Sequence, residues 1–217
     1  MKKLSKKVST LRNEYQGKAF NEDNAAKNPF LQFAKWMDDA IRKKVAEPTA
    51  MTLATVNKKK QPSARIVLLK GVDKRGFVFF TNYKSDKGDE LSANNLCCLN
   101  FYWIEMQRQV RIYGKAEKVS SKESDKYFAS RPRESQLGAY TSPQSEVIRG
   151  RNFLDIRFAI FEGYFKDKKI PRPKHWGGYR VIPSSIEFWQ GRTNRLHDRL
   201  LFSKKKDGKW KLERLSP

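Results

Sequence analysis

The sequence predicts a mainly β fold of the α+β class, an antiparallel sheet or barrel with helices at its periphery. Three runs of β-branched and aromatic residues follow one another within residues 50–81, and turn residues separate them. An apolar run at 95–103 and an alternating run at 108–118 continue the pattern. A meander of short strands joined by short turns is typical of antiparallel sheets and barrels. The 217 residues suffice for one domain with a buried core.

The chain is strongly basic, with 46 lysines and arginines against 23 acidic residues and a formal net charge of +23. Such a balance is a known signal of nucleic-acid binding. The basic residues are spread from Lys2 to Arg214. This spread argues against a dedicated binding stripe but leaves nucleic acid open as an alternative partner. No apolar run is long enough to span a membrane, and no signal-peptide segment is found. We therefore expect a cytoplasmic protein without a membrane partner.

Cysteine and histidine usage points away from a disulfide or a metal site. Cys97 and Cys98 are adjacent in a predicted strand, where their side chains would face opposite sides of the sheet. The two histidines and this cysteine pair lack the spacing of metal ligands. We expect no metal ion, and we expect the protein to work in a reducing compartment.

The N-terminal part divides at residue 28. Residues 1–27 are polar and weakly periodic, which predicts a flexible arm with a helix around 8–15, ahead of a single domain over 28–217. Asn28-Pro29 predicts a helix start, because asparagine is a good N-cap and proline fits the first helical position. Apolar residues then recur at helical spacing up to about residue 45.

The meander itself is predicted as strands over 50–56, 64–70 and 77–81. In the middle strand, Arg65 and Lys70 flank an otherwise apolar run and lie on opposite faces. Charges in such positions are often gatekeepers against aggregation. They are equally suited to bind a phosphate at the rim of a sheet, and the residues alone leave both interpretations open.

The next elements are a short helix over 87–93 and the strands over 95–103 and 108–118. Ser85 is the predicted N-cap of the helix, and a helix N-terminus with Lys87 beside it favours an anion. Gln109 lies on the last of these strands. Its amide is either a hydrogen-bonding group for a heterocycle or an ordinary surface group.

A capping box at Ser120 predicts a helix that Pro132 breaks. Tyr127, Arg131 and Ser135 follow one another at intervals of four residues around that break. If the backbone stays roughly helical there, the three side chains converge on one face. A phenol, a guanidinium and a hydroxyl are donors suited to a phosphate.

The stretch 187–199 combines a tryptophan, three arginines and one of the two histidines, and we interpret it as a loop between two strands. Alternation from residue 195 onward would place Arg195, His197 and Arg199 on one face, which suits an anionic, proton-exchanging ligand. A solvated hairpin in a basic protein is the alternative. The last elements are predicted as a helix and three strands: 151–165, 178–182, 200–203 and 209–215.

In this order and spacing, the segments resemble the pyridoxamine 5′-phosphate oxidase family over residues 11–217. The matching pieces are Arg65-Ile-Val-Leu-Leu-Lys70, Phe79-Phe-Thr-Asn82, Gln109, Tyr127-Phe-Ala-Ser-Arg-Pro-Arg133, Ser135-Gln136, Gln144-Ser145, Trp176-Gly-Gly178, Glu187-Phe-Trp-Gln-Gly191, Arg195-Leu-His-Asp-Arg199 and Arg214-Leu-Ser-Pro217. The resemblance implies a split β-barrel that binds FMN at a homodimer interface. It also implies oxidation of pyridoxamine or pyridoxine 5′-phosphate to pyridoxal 5′-phosphate, with dioxygen as oxidant, hydrogen peroxide as product and ammonia released from the amine.

The resemblance also implies roles for individual residues. The implied FMN ligands are Arg65, Ile66, Val67, Leu68, Leu69, Lys70, Phe80, Thr81, Lys87, Gln109, Gln144, Ser145, Trp189 and Arg199, with Gln144 and Ser145 supplied by the partner subunit. The implied substrate ligands are Lys70, Tyr127, Arg131, Ser135, Arg195, His197, Arg12 and Tyr15, of which Arg12 and Tyr15 belong to an N-terminal segment that can cover the substrate. The implied catalytic residues are Arg195 and His197.

Two phosphorylated ligands need two cationic pockets, which we predict at Arg65 with Lys87 and at Lys70 with the Tyr127, Arg131 and Ser135 group. His197 is the expected proton acceptor, and Arg195 is expected to steer charge, because arginine stays protonated.

The chain departs from the family pattern at two of the matched positions. Asp86 stands where the family commonly has arginine, and Phe80 replaces a frequent tyrosine. Two alternatives remain. A non-catalytic flavin-binding split barrel should lack the phosphate cradle, and a nucleic-acid-binding protein should not need Arg195 and His197.

Overall fold

The computed structural model describes residues 1–217, which form two compact units. The terminal unit comprises Met1–Pro48, Phe101–Arg111 and Ser185–Pro217, and the central unit comprises Thr49–Asn100 and Ile112–Ser184. The helices are α1 Lys2–Thr10, α2 Pro29–Arg42, α3 Asp86–Ala93, α4 Ser121–Ala129, α5 Arg133–Thr141 and α6 Arg151–Tyr164. The strands are β1 Ala50–Val56, β2 Pro62–Leu68, β3 Gly71–Asp73, β4 Gly76–Asn82, β5 Leu96–Trp103, β6 Arg108–Lys118, β7 Trp176–Gln190, β8 Asp198–Lys204 and β9 Trp210–Leu215.

The central unit is built on strands in the order β2-β1-β5-β6-β7-β4-β3. β1 pairs with β2 in antiparallel register, with Ala50 opposite Leu68. Alternate residues of β1 and β5 are buried because successive side chains point to opposite faces, and Leu53 and Leu99 are fully buried. The predicted antiparallel sheet with peripheral helices is therefore confirmed.

A core cluster lies under the helices of the central unit. It packs α4, α5 and the segment after α6 against the start of β7 through five buried residues: Phe128, Leu137, Phe165, Ile170 and Trp176. Ser120 begins α4 as predicted, since its Oγ accepts a hydrogen bond from the Glu123 N–H at 3.1 Å. This helical cluster positions the side chains that face the cavity described below.

The terminal unit joins α2 to the antiparallel strands β7, β8 and β9. Asn28 caps α2 as predicted, because its Oδ1 accepts a hydrogen bond from the Phe30 N–H at 2.8 Å. The buried face of the helix carries Phe33 and Trp36, and Trp36 meets Phe188 of β7 edge to face at 5.3 Å. None of the chain's helices combines the length and the apolar character that crossing a membrane requires.

Several predicted boundaries were wrong. The first helix covers Lys2–Thr10 instead of 8–15, because Leu11 already has an extended backbone. The turn residues between the predicted strands 64–70 and 77–81 contain the short strand β3. β7 does not stop before Pro183 but continues to Gln190, because its second half pairs with β8.

Glycine at position 114 accommodates this long strand. A Cβ there would lie 2.2 Å from the Ile182 carbonyl oxygen, so the two segments approach as closely as glycine permits. The division into an arm over 1–27 and a domain over 28–217 stays a prediction.

Candidate active site

A cavity of about 600 Å³ lies in the central unit, within the size range of ligand sites in proteins. Residues of β2, β4, α3, α4 and α5 line it, together with the loop after α5 and the start of β7. The lining residues are Ile66, Val67, Leu68, Lys70, Phe80, Thr81, Asn82, Lys87, Tyr127, Arg131, Pro132, Ser135, Gly138, Ala139, Ser142, Gln144 and Trp176. Eleven of these were predicted site residues, so the structure brings most of the central unit's candidates together.

The cavity is cationic and has no acidic partner of its own. Lys70, Lys87 and Arg131 line it, and no aspartate or glutamate does. The Nη1 atom of Arg131 is buried and has no hydrogen-bond partner. Burial lowers the pKa of this guanidinium, because desolvation disfavours the charged form. A buried donor without a partner is costly, so the site is suited to receive an anion.

The donors around Arg131 come from a broken helix. α4 ends at Ala129, and Pro132 takes an extended backbone before α5 begins. The side chain of Gln136 fixes this break, since its Nε2 donates to the carbonyls of Phe128 and Arg131 at 3.1 and 3.0 Å. Tyr127, Arg131 and Ser135 all line the cavity, so their predicted convergence is confirmed, although the helix is interrupted between Ala129 and Arg133.

An aromatic stack forms one wall of the cavity. Phe80 and Tyr127 stack with ring centroids 3.9 Å apart, and Trp176 lies nearly parallel to Phe80 at 5.6 Å. The Arg131 guanidinium sits 4.6 Å from the Trp176 ring, a cation–π distance. Gly178 leaves room for the Phe80 ring, because a Cβ there would come within 2.8 Å of it. Planar groups and a cation are thus preorganised side by side.

Lys87 joins the same cavity from the first turn of α3. Its Nζ lies 3.1 Å from both the Ser85 Oγ and the Gln144 Oε1. Burial and the nearby charge of Arg65 lower the pKa of Lys87. Ser85 is the N-cap of α3 as predicted, although its hydroxyl donates to the Asn82 carbonyl and makes no capping bond.

Within the chain, Gln144 contacts Lys87, and the Ser145 Oγ accepts a hydrogen bond from the Asp86 N–H at 3.2 Å. Their assignment to the FMN site of a partner subunit stays a prediction. The predicted separation of two cationic pockets was wrong. Arg65 and Lys87 were expected to form a pocket apart from the Tyr127 group. Instead, Lys87 lines the same cavity as that group.

Arg65 does not line the cavity, because other side chains hold its guanidinium. Glu90 accepts from its Nη2 at 2.8 Å, Ser63 at 2.5 Å, and Thr55 accepts from its Nη1. Leu69 belongs to the core, with 7% exposure. The proposed cofactor roles of Arg65, Leu69 and Ser145 stay predictions.

A second group of candidates lies in the terminal unit. Tyr15 meets Trp189 edge to face at 5.5 Å and His197 at 5.3 Å. His197 packs on Trp189 at 4.6 Å, and the Arg195 guanidinium lies 5.6 Å from the Tyr15 ring. The backbone N–H of Gln16 donates to the Gln107 side chain at 2.7 Å, which holds this part of the N-terminal segment in place.

The geometry of the loop differs from the prediction. Thr193–Arg195 forms a 3₁₀ turn in which Asn194 and Arg195 have positive φ angles of 56° and 62°. Strand alternation from residue 195 was therefore wrong, since β8 begins only at Asp198. The His197 ring is held instead by the Arg192 N–H, which donates to its Nδ1 at 3.1 Å. Burial and the Arg195 charge lower the pKa of His197.

The remaining candidates of this unit do not join the Tyr15 group through a side-chain contact. Arg199 donates to Glu187 at 2.9 Å and to the Ser216 carbonyl at 2.7 Å. Gln109 is half-buried on β6, and Arg12 is exposed. Their ligand roles stay predictions.

Sequence reasoning missed two contributors. Trp176 was noted only as part of a matching motif, although the glycines that follow it signal close packing against a large group. Asp198 was likewise noted only within a matching motif, yet it accepts hydrogen bonds from Arg192, Arg214 and the Phe20 N–H at 2.9, 2.8 and 3.0 Å. No local pattern could have revealed Phe20, which is 178 residues away, as a partner of Asp198.

Similarity to known proteins covers the whole chain. A family model described as pyridoxamine 5′-phosphate oxidase matches residues 37–164. A second model, described as the pyridoxine 5′-phosphate oxidase C-terminal dimerisation region, matches residues 176–217. A pyridoxine/pyridoxamine 5′-phosphate oxidase of Nostoc punctiforme is 55% identical over 214 residues, covering 99% of this chain and 100% of the relative. The enzyme of the same name from Acaryochloris marina is 54% identical, with 97% and 95% covered.

Solved structures agree with this assignment. PhzG from Burkholderia lata, in complex with tetrahydrophenazine-1-carboxylic acid, is similar with a TM-score of 0.87 at 29% identity, covering 93% of this chain and 100% of that one. A pyridoxamine 5′-phosphate oxidase-related, FMN-binding protein from Nostoc punctiforme shares the fold, with a TM-score of 0.70 at 16% identity and 88% and 98% covered. By sequence and by fold, this chain belongs to the pyridoxamine 5′-phosphate oxidase family.

Proposed function

We propose that this protein oxidises pyridoxamine 5′-phosphate and pyridoxine 5′-phosphate to pyridoxal 5′-phosphate. Curated relatives with that name are 50–55% identical over 97–99% of this chain. The reaction uses dioxygen and produces hydrogen peroxide, and the amine substrate also consumes water and releases ammonia. The observation that carries the proposal is the cavity with three cations, an unpartnered buried guanidinium nitrogen and no carboxylate. A phosphate monoester supplies the missing negative charge.

The residues of the cavity fit FMN as the cofactor. FMN joins a planar ring system to a phosphate, and the site offers stacked aromatic rings beside lysine and arginine side chains. Lys87, Thr81 and Gln144 already form one polar group that would hold part of it. When bound, FMN supplies the ring that accepts a hydride from the substrate.

Phosphate binding is assigned to Lys70, Tyr127, Arg131 and Ser135. These side chains present an ammonium, a phenol, a guanidinium and a hydroxyl to one cavity. Each charge-assisted hydrogen bond contributes about 1.5–3 kcal/mol. Binding the phosphate at a fixed place orients the rest of the substrate for reaction without a loss of entropy at the chemical step.

Contacts with the substrate ring are assigned to Arg195 and His197, with Tyr15 covering them. The Arg195 guanidinium is a cation that attracts the electron-rich side of the substrate. The edge of Tyr15 excludes water from the His197 ring, which it already contacts. Gln109, Trp189, Arg199 and Arg12 complete the proposed ligand set.

A homodimer is part of the proposal. The model that matches residues 176–217 is described as a dimerisation region, and these residues form β7, β8 and β9. The family resemblance predicts that the FMN sites lie at the interface. Sedimentation of the purified protein at twice the mass of the 25.4-kDa chain would support this.

The test is an absorption spectrum of the protein after loading with FMN and removal of the excess. The flavin bands should bleach when pyridoxamine 5′-phosphate is added without oxygen, and they should return when air enters. Bands that stay unchanged would contradict the oxidase and favour a non-catalytic flavin protein. Loss of all flavin, together with strongly salt-dependent binding to nucleic acid, would support the nucleic-acid alternative instead.

A further inference from the structure

The His197 ring has a defined tautomer in this structure. The Arg192 backbone N–H donates to its Nδ1 at 3.1 Å. A backbone N–H can only donate, so Nδ1 must present its lone pair. The one proton of a neutral imidazole is then on Nε2. The neutral form is also favoured by the burial of the ring and by the charge of Arg195, which together lower the pKa of His197.

The Arg192 backbone is itself held through its side chain. Its Nη1 donates to the Asp198 Oδ2 at 2.9 Å. The same oxygen accepts from the Phe20 N–H at 3.0 Å, and the other accepts from Arg214 Nη1 at 2.8 Å. Asp198 therefore ties the loop, the N-terminal segment and β9 together. Burial alone would raise the pKa of Asp198, but these three bonds lower it overall.

Asp198 does not act on the imidazole directly. It follows His197 in the chain, and its two oxygens are taken up by Arg192, Phe20 and Arg214. The groups facing the His197 ring are Tyr15, Trp189 and the nearby charge of Arg195. No carboxylate faces the ring to accept an Nδ1 proton, so the arrangement is unlike that of a Ser-His-Asp triad.

We propose that Asp198 is a positioning residue that fixes His197, through Arg192, as a hydrogen-bond donor to the substrate ring rather than as a base. The inference rests on the proposed function for the statement that the substrate meets His197. It replaces our expectation that His197 accepts a proton. With its proton on Nε2 and its lone pair engaged at Nδ1, the ring has no free site for a second proton.

The direct test is long-range ¹H–¹⁵N NMR of the imidazole nitrogens in the resting, FMN-loaded protein at neutral pH. The chain has only two histidines, so a His175→Asn variant assigns the signals. We expect a single Nε2–H tautomer for His197. An Nδ1–H tautomer or an imidazolium would overturn the proposal. This readout does not depend on turnover, so an inactive protein would refute the proposed function while leaving the tautomer measurable.

The role of Asp198 is tested with Asp198→Asn, which removes the charge that holds Arg192. We expect both neutral tautomers of His197 to appear and kcat to fall. Arg192→Ala is the second variant, for use if Asp198→Asn does not fold, because it breaks only one of the three bonds to Asp198. It should give the same mixture of tautomers. Asp155→Asn, on the exposed face of α6, is the matched control and should leave the spectrum unchanged. A single Nε2–H tautomer in the folded variants would show that Asp198 does not position the ring.

The donor role is tested by comparing His197→Gln with His197→Ala. Glutamine keeps an N–H donor but takes up no proton near neutral pH, so its kcat should stay within about 10-fold of wild type. His197→Ala removes the donor, so its kcat should fall further than that of His197→Gln. If His197 were a base, both variants would fall together by roughly 100- to 10,000-fold. Equal large losses would therefore contradict a donor role.

Discussion

The arginines of the terminal unit and the cations of the cavity in the central unit differ in how their charges are balanced. In the terminal unit, Arg111 and Arg199 share Glu187, and Arg108 pairs with Asp39. In the cavity, Lys70, Lys87 and Arg131 have no acidic residue among the lining side chains.

This difference identifies functional cations better than charge alone. With a net charge of +23, the chain has far more cations than any small ligand needs. A cation bonded to a buried carboxylate is part of the structure, because removing either partner leaves the other uncompensated. A buried cation without a partner is maintained at a cost in stability, which a ligand can offset on binding.

The largest effect on stability is expected when a buried carboxylate that pairs with arginines is removed. Glu187 is 3% exposed and is held by two arginines, so Glu187→Ala should destabilise the protein by about 3 kcal/mol, the lower end for a broken buried pair. Urea unfolding measures this change. Glu213→Ala, on exposed β9, is the control and should stay within about 0.5 kcal/mol of wild type. A Glu187 variant as stable as the control would contradict the structural role.

The pairing of Glu187 with two arginines also predicts that the protein becomes less stable in acid. Burial alone would raise the pKa of Glu187, but the hydrogen bonds from Arg199 and Arg111 lower it below its ordinary value. A lowered carboxylate pKa gives stability that is present above the unfolded-state pKa and lost as the pH falls through the folded one. The free energy of unfolding should therefore decrease as the pH falls below about 4.5, and it should decrease less in Glu187→Gln.

An intermediate effect is expected at Lys87. Lys87→Met should weaken FMN binding by roughly 10- to 150-fold, the equivalent of one charge-assisted bond, without a large change in stability. Burial and Arg65 lower the pKa of Lys87, so wild-type affinity should decline as the pH rises toward a value below the ordinary 10.5. The variant should lack that decline. Fluorescence titration of the flavin at several pH values measures the FMN affinity and its pH dependence. If the variant still loses affinity at alkaline pH, a group other than Lys87 causes that loss.

The smallest effect is expected at Tyr127. Tyr127→Phe keeps the ring that stacks on Phe80 at 3.9 Å and removes only the hydroxyl. A neutral hydrogen bond is worth about 0.5–1.5 kcal/mol, so kcat/KM should fall about 2- to 12-fold. Tyr127→Leu also removes the stacked ring, so its kcat/KM should fall further than that of Tyr127→Phe. Equal losses in the two variants would place the contribution of Tyr127 in its hydroxyl alone.

The sequence predicted those features whose causes are local. The cap at Asn28, the meander from residue 50 and the spacing of Tyr127, Arg131 and Ser135 depend on neighbours a few residues away. Pairing of charges could not be predicted in this way. Glu90 neutralises Arg65 across 25 residues, and Asp198 meets Phe20 across 178. The sequence predicted that the strand beginning at residue 178 ends at 182, but distant Gly114 and β8 allow it to continue.

The measurement that tests this account most directly compares Arg131→Met with Arg151→Met, an exposed arginine of α6. Both kcat/KM for pyridoxine 5′-phosphate and the free energy of unfolding should be determined. Arg131→Met should lose roughly 10- to 150-fold in kcat/KM while its stability stays within about 0.5 kcal/mol of wild type or rises. Arg151→Met should change neither. An Arg131 variant that keeps full activity but loses several kcal/mol of stability would show that this cation is structural after all.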